Sequence, residues 1–399
     1  MKNIQNYQSI YLLLSILFVA SLSFQTNLQI SSILTILLVV NRLIFWKIPF
    51  EISSPIKLLL IASVGYYGLY ILGFFQSQNQ VEALALAERY LSFLFFPIII
   101  FTSPAFTTYQ MQRIFAFFVG SCCVSLLFSL GYATYHLFTY HTLNYFFYHR
   151  LSNTIGLHGT YFAIYICFSV FISIYYWYKT KNKWWIISLF ITAIGLYLLS
   201  SRTQQLAALF AILFIGAKYS YSNKNWKIFI VSCSICTIVA ILFWFNPGAK
   251  DRNQSDTVSD NAYITSSAYF RENRWNAVWE IIEKNKWIGT GSGDVQQEMD
   301  LICIKNKTAQ KHIQGHNSHN QFLQTWAGTG IVGLFLLLFI LYQSYKIAIL
   351  SNSELHIIFL CIFVISCLTE VVLEAQKGVI WFSFFNSLFV HYNSKYNTT

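Results

Sequence analysis

Apolar runs about as long as a bilayer is thick recur from one end of this chain to the other, and no other feature constrains its fold as strongly. A helix needs about 20 predominantly apolar residues to cross a hydrocarbon core. Twelve stretches approach that length: 8–24, 28–46, 56–75, 83–102, 113–138, 158–178, 183–200, 203–221, 227–246, 320–345, 354–374 and 377–392. In lipid the backbone must satisfy its own polar groups, so such runs fold as helices. The expected class is therefore all-α, a polytopic membrane protein with about twelve transmembrane helices. Composition agrees: 56% of the residues are hydrophobic and 10% charged, against about 25% charged in soluble domains. The first run follows Lys2 and resembles a signal peptide, but with eleven more spans behind it an uncleaved first helix is expected.

The formal net charge of +11 raises the question of nucleic acid. Its distribution argues against that partner, because the lysines punctuate apolar blocks and form no basic stripe. The cations instead report orientation. With both termini inside, 13 Lys and Arg fall in cytoplasmic segments and three (Arg150, Arg202, Lys377) in short outer loops. Residues 247–318 form one long loop on the outer side. The chain thus divides into nine spans over 1–246, the loop 247–318, and three spans over 319–399.

No internal repeat or low-complexity segment stands out, and the loop is the one shift in composition. Its opening, NPGAKDRNQSDTVSD, is polar. Farther on, Trp275, Val278, Trp279, Ile282 and Trp287 recur at helical spacing. They predict an amphipathic helix that lies on the membrane surface and stops at the glycine-rich GTGSGD, residues 289–294. Cys303 is alone in the loop, so no disulfide closes it; Cys233 and Cys236 have CxxC spacing inside an apolar run, where Cys serves as a small hydrophobe.

Histidines and arginines collect on the outer side: His136, His141, His149, His158, His312, His316 and His319, with Arg150, Arg202, Arg271 and Arg274. Arginine forks fit phosphate, and imidazole exchanges protons near neutral pH. An anionic, lipid-linked ligand suits that pairing, although both residue types also decorate membrane interfaces. His312 and His316 have HxxxH spacing, but Ile313 stands where a metalloprotease site needs Glu, and Gly315 and Asn317 weaken the helix. No metal is expected. GTGSGD follows a helix and lacks the strand of a dinucleotide fingerprint, so a turn is expected, with N–H groups free to help hold a phosphate. Arg202, in SSRTQ, marks the outer end of a span, where arginine is either functional or snorkelling. Glu88 and Arg89 read as a structural ion pair.

These stretches together resemble the O-antigen ligase and O-antigen polymerase superfamily of bacterial membrane glycosyltransferases. The resemblance covers about 185–345. It rests on Arg271 with Trp275 four residues on, Gly289-Thr-Gly291, then His319-Asn320, Leu323, Gly330 and Gly333. Ser201-Arg202 matches a further family feature, and GLHGTYFA points to His158. The resemblance implies an enzyme of the bacterial inner membrane with its active site facing the periplasm. It implies transfer of a polysaccharide from an undecaprenyl-diphosphate carrier to a sugar hydroxyl of lipid A-core, without metal or cofactor. On it, His319 is the expected base, Arg202, Arg271 and Arg274 the diphosphate ligands, and His316, Asn320 and His158 supporting residues. His316 stays open as the alternative base. Expected partners are the lipid-linked glycan, the glycan acceptor and membrane lipids.

Three other functions compete. A polymerase uses the same donor; in some, Arg is followed eleven residues later by Gly in two outer loops, which no outer arginine here satisfies. A protein O-oligosaccharyltransferase shares the motif. A lipid-linked oligosaccharide flippase should carry charged or broken helices near the midplane, whereas the unusual polar residues here gather at one face.

Overall fold

The computed structural model describes residues 2–24, 30–47, 52–246, 267–306 and 315–396. His312 and the polar opening of the long loop lie outside the described residues. In chain order the helices are α1 (Lys2–Ser21), α2 (Ile30–Ile44), α3 (Ser54–Gln76), α4 (Gln80–Tyr90), α5 (Ser92–Phe101) and α6 (Thr108–Tyr140). Then follow α7 (Tyr148–Asn153), α8 (Gly159–Thr180), α9 (Lys183–Leu198), α10 (Arg202–Ser222) and α11 (Trp226–Trp244). The last are α12 (Ser267–Asn285), α13 (Val295–Lys305), α14 (Gln321–Leu350), α15 (Glu354–Cys367) and α16 (Gln376–Tyr396). No strand occurs among the described residues.

The all-α class stands, and the many apolar helices make this a polytopic membrane protein. Among the described residues, seven paths are long and apolar enough to cross: α1, α3, α4 with α5, α6, α8, α11 and α14; α2, α9 and α15 are shorter apolar helices. Every expected span falls on a helix, but the number twelve is not itself established by length and composition. The eleventh run stops early, at Cys367, where Glu370 N–H bonds back to Ser366 O at 2.9 Å and the chain turns. The polar TEVVLE segment is the physical reason, since carboxylates are costly inside an apolar helix.

The helix starts are written locally. Thr107 and Gln110 form a capping box for α6, and Asn182, Asn225 and Asn320 cap α9, α11 and α14 by accepting from first-turn N–H groups.

The chain forms two compact units. The first comprises 1–50, 103–252 and 352–365. In it α8 packs on α6, α9 and α10, and α1 packs on α2 and α6. The second comprises 51–102, 253–351 and 366–399. There α14 packs against α3, α12 and α16, and α12 against α13.

Within the second unit, the loop helices share an apolar core. Ala277, Val278, Ile281 and Ile282 of α12 meet Met299, Ile302 and Cys303 of α13 and Ala327 of α14. The buried stripe thus runs one position off the tryptophans: Val278 is fully buried, while Trp279 is 47% exposed. Trp279 stacks edge-on against Trp326.

The turn after α12 inserts into a break in α14. Gly330 has φ 70° and ψ −173°, which interrupts the helix. Lys286 O accepts from Ile331 N–H at 2.9 Å and from Trp326 Nε1 at 3.0 Å, and Ala327 O accepts from Thr290 N–H at 2.8 Å. The loop therefore takes up backbone groups that the broken helix frees, as a break inside an apolar helix requires. A Cβ on Gly330 would sit 2.2 Å from Trp287 O, and one on Gly289 would sit 2.6 Å from Gly328 O. Glycine is needed here because two backbones touch.

Candidate active site

The site begins at the N-terminus of α14. Asn320 accepts from Phe322 and Leu323 N–H through one oxygen, at 3.0 and 3.1 Å. Its amide donates to Leu368 O at 3.5 Å. One residue earlier, His319 has a left-handed backbone, φ 50°, held by its N–H on Asn317 Oδ1 at 3.1 Å. Such a conformation is uncommon for a residue with a Cβ and recurs at functional sites.

The turn between α15 and α16 is tied to this helix start. Gln321 Oε1 accepts from Leu373 N–H at 2.7 Å, and Gln324 donates to Glu374 at 3.3 Å. That tie brings Glu370 to His319: Glu370 Oε2 lies 3.2 Å from Nδ1. The other oxygen, Oε1, lies 3.9 Å from Arg271 Nη2. One carboxylate therefore bridges an imidazole and a guanidinium, all three partly open to solvent. Trp275, one helical turn after Arg271, donates Nε1–H to Ser318 O at 2.9 Å and so fixes α12 to the His319 turn.

The expected residues separate on this frame. Arg271, His319 and Asn320 come together. His316 is exposed on the same turn. Arg274 is fully buried, with Nη1 on Asp300 at 2.6 Å. Helical spacing explains this: three residues from Arg271, Arg274 points to a different side of α12 and meets α13. Arg202 and His158 belong to the first unit. Arg202 opens α10 and is exposed; His158 caps α8, its Nδ1 accepting from Thr160 N–H at 3.4 Å, with its ring 4.3 Å from that of His149. In GTGSGD, Thr290 and Gly293 N–H donate to Ala327 O and Ser77 Oγ, and Asp294 accepts from Gln78 and Asn79 N–H. The segment is a structural turn. Arg89 pairs with Glu82 at 3.4 Å, seven residues away, instead of its neighbour Glu88.

Residues 187–338 match the family model described as O-antigen ligase. The matched stretch resembles an O-antigen ligase domain. Comparison with curated proteins gives no match. Over that stretch the chain is similar to O-antigen ligase- and polymerase-like membrane enzymes. The stretch includes Arg202, Arg271, His319, Asn320 and Gly330, but ends before Glu370 and Glu374. Both glutamates escaped the sequence reading because residues 354–374 looked like a span. Their signal was two carboxylates four residues apart closing an otherwise apolar run, a costly placement that usually marks function. Glu374 is partly buried, and the lost solvation pushes its carboxyl above the usual range; the Asn317 amide and the Arg89 charge oppose that shift. No cluster of metal-ligating side chains occurs among the described residues.

Proposed function

We propose that this protein transfers a glycan from an undecaprenyl-diphosphate carrier to a sugar hydroxyl of lipid A-core at the outer face of the inner membrane, as an O-antigen ligase. The observation that carries the chemistry is the His319–Glu370 pair. A carboxylate on Nδ1 keeps the proton there and leaves Nε2 as the basic nitrogen. In the proposed step, the acceptor hydroxyl oxygen attacks the anomeric carbon and His319 Nε2 takes its proton. The bond from the anomeric carbon to the diphosphate breaks, with inversion, and the lipid diphosphate leaves with its charge. Arg271 stabilises that charge electrostatically. Arg202 is assigned the same task on the motif alone. Asn320 shapes the helix start that presents His319, and His316 and His158 are supporting residues outside the proton path. Arg274 becomes a clamp between α12 and α13 in this reading.

Gene deletion with complementation tests it. Deletion should remove polymeric chains from lipid A-core and leave polymer on the carrier. Wild type and His316→Ala should restore transfer, whereas His319→Ala should fail at normal protein level, consistent with a general base worth about 10²–10⁴-fold. A core bearing one repeat unit in the deletion strain would mean polymerase. Unchanged lipopolysaccharide would sink both readings, and full activity of His319→Ala would refute the base.

A further inference from the structure

Glu374 receives two chains of hydrogen bonds that start on the backbone of the His319 turn. Asn317 accepts from His319 N–H through Oδ1, at 3.1 Å, and donates to Glu374 Oε2 through Nδ2. Gln324 accepts from Ser318 N–H through Oε1, at 3.2 Å, and donates to Glu374 Oε1 through Nε2, at 3.3 Å. Two consecutive backbone N–H groups are each joined, through one primary amide, to one oxygen of the same carboxylate.

The polarity of these chains runs one way. A primary amide has one accepting end and one donating end. The Ser318 and His319 N–H groups fix the oxygen of each amide, so both amides turn an NH2 group on residue 374. Turning either amide over would set that NH2 against a backbone N–H. Residue 374 must therefore accept twice, on two separate oxygens, as a carboxylate does. A glutamine of the same length offers one oxygen and one NH2, and would meet one of the two amides donor to donor. Lost solvation raises the Glu374 carboxyl, and the bond from Asn317 and the charge of Arg89 work to keep it ionised.

Glu374 is itself held from two sides. Its carbonyl accepts from Arg89 Nη1 at 3.1 Å, and Arg89 pairs with Glu82 on α4. Its neighbour Leu373 donates N–H to Gln321 Oε1 at 2.7 Å, at the start of α14. The turn that it secures has a conformation that needs support, since His319 keeps a left-handed backbone at φ 50°. The direction of the imidazole follows from that backbone.

We propose that Glu374 is a positioning residue, which braces the left-handed turn carrying His319 through the amides of Asn317 and Gln324. That the braced imidazole takes a proton during glycan transfer rests on the function proposed above; the brace does not.

The test uses full-length protein in lipid nanodiscs and two readouts. Hydrogen exchange with mass spectrometry follows the amides of residues 315–324. Transfer is measured with carrier-linked glycan and lipid A-core extracted from the deletion strain. Glu374→Gln should speed exchange in that segment about tenfold. It should lower kcat about 10–100-fold with KM nearly unchanged, because a misaimed base costs rate more than binding. Two reciprocal swaps separate the brace from a carboxylate that only supports the fold. Combined with Gln324→Glu, the carboxylate at 324 accepts from Ser318 N–H and from the amide at 374, whose oxygen still serves Asn317. Combined with Asn317→Asp, the same logic holds through His319 N–H, and Gln324 keeps its acceptor. Either swap should return exchange and kcat to within about threefold of wild type. Gln324→Glu or Asn317→Asp alone sets two carboxylates face to face and should behave like Glu374→Gln. Wild-type exchange or wild-type kcat in Glu374→Gln, or failure of both swaps to repair them, overturns the brace. Faster exchange that a swap repairs, in a protein without transfer activity, keeps the brace and rejects the transfer function.

Discussion

Arg271 and Arg274 show how three positions on one helix separate two chemistries. Arg271 faces Glu370 at the partly open site, whereas Arg274 is sealed against Asp300. Removing Arg274 deletes a charge-assisted bond and its packing but leaves the partly exposed Asp300 with its Gln296 and Gly315 donors, at a cost of about 1–3 kcal/mol. Arg274→Ala should therefore lower the unfolding temperature measured by tryptophan fluorescence in detergent. Arg271→Ala should leave stability within about 1 kcal/mol and lose transfer. The opposite pattern would reverse the two roles. Glu374 carries a pH signature. Its folded-state pKa is raised by burial, so its contribution to stability is full below the ordinary carboxylate pKa and is lost as pH rises through the raised value. The unfolding temperature of Glu374→Gln relative to wild type should thus climb as pH rises above the ordinary carboxylate pKa. A pH-independent difference would mean that the carboxyl is not shifted. Neither glutamate partner was legible from the sequence, because Glu370 and Glu374 acquire meaning only through contacts with α12 and α14.

At the scale of elements, the decisive feature is the crossing of the 286–290 turn and the broken α14. The glycine spacing was visible in the chain, and so was the turn. What the glycines do was not visible, since a phosphate cradle and a backbone crossing both require small residues and free N–H groups. Gly330→Ala tests the crossing. A residue with a Cβ in that essentially glycine-only conformation costs about 1–3 kcal/mol, and the Cβ would also press on Trp287 O. The variant should unfold several degrees earlier and lose transfer together with stability. Wild-type unfolding would show that the two backbones can separate. The amphipathic helix was likewise legible as a helix. Its buried stripe was displaced from the tryptophans because α13 and α14 cover Val278 and Ile282, leaving Trp275, Trp279 and Trp287 exposed.

For the molecule as a whole, we propose from the cation distribution that the long loop lies outside, and single-cysteine labelling checks it. In a cysteine-free background, Gln297→Cys should react with a membrane-impermeant maleimide added to spheroplasts, and Lys181→Cys only after lysis. Reversed labelling would invert the topology and move the site to the cytoplasm. Apolar periodicity, helix caps and the Arg271–His319–Gly330 spacing are local properties, so the sequence alone determined the all-α membrane class, the position of most helices and the likeness of one stretch to O-antigen ligases. Contacts across 26 to 57 residues made the remaining choices: Glu370 on His319, Glu374 on Asn317, Arg274 under α13. Those depend on how helices pack, because burial and pairing are properties of neighbours in space, and only the tertiary structure could decide them.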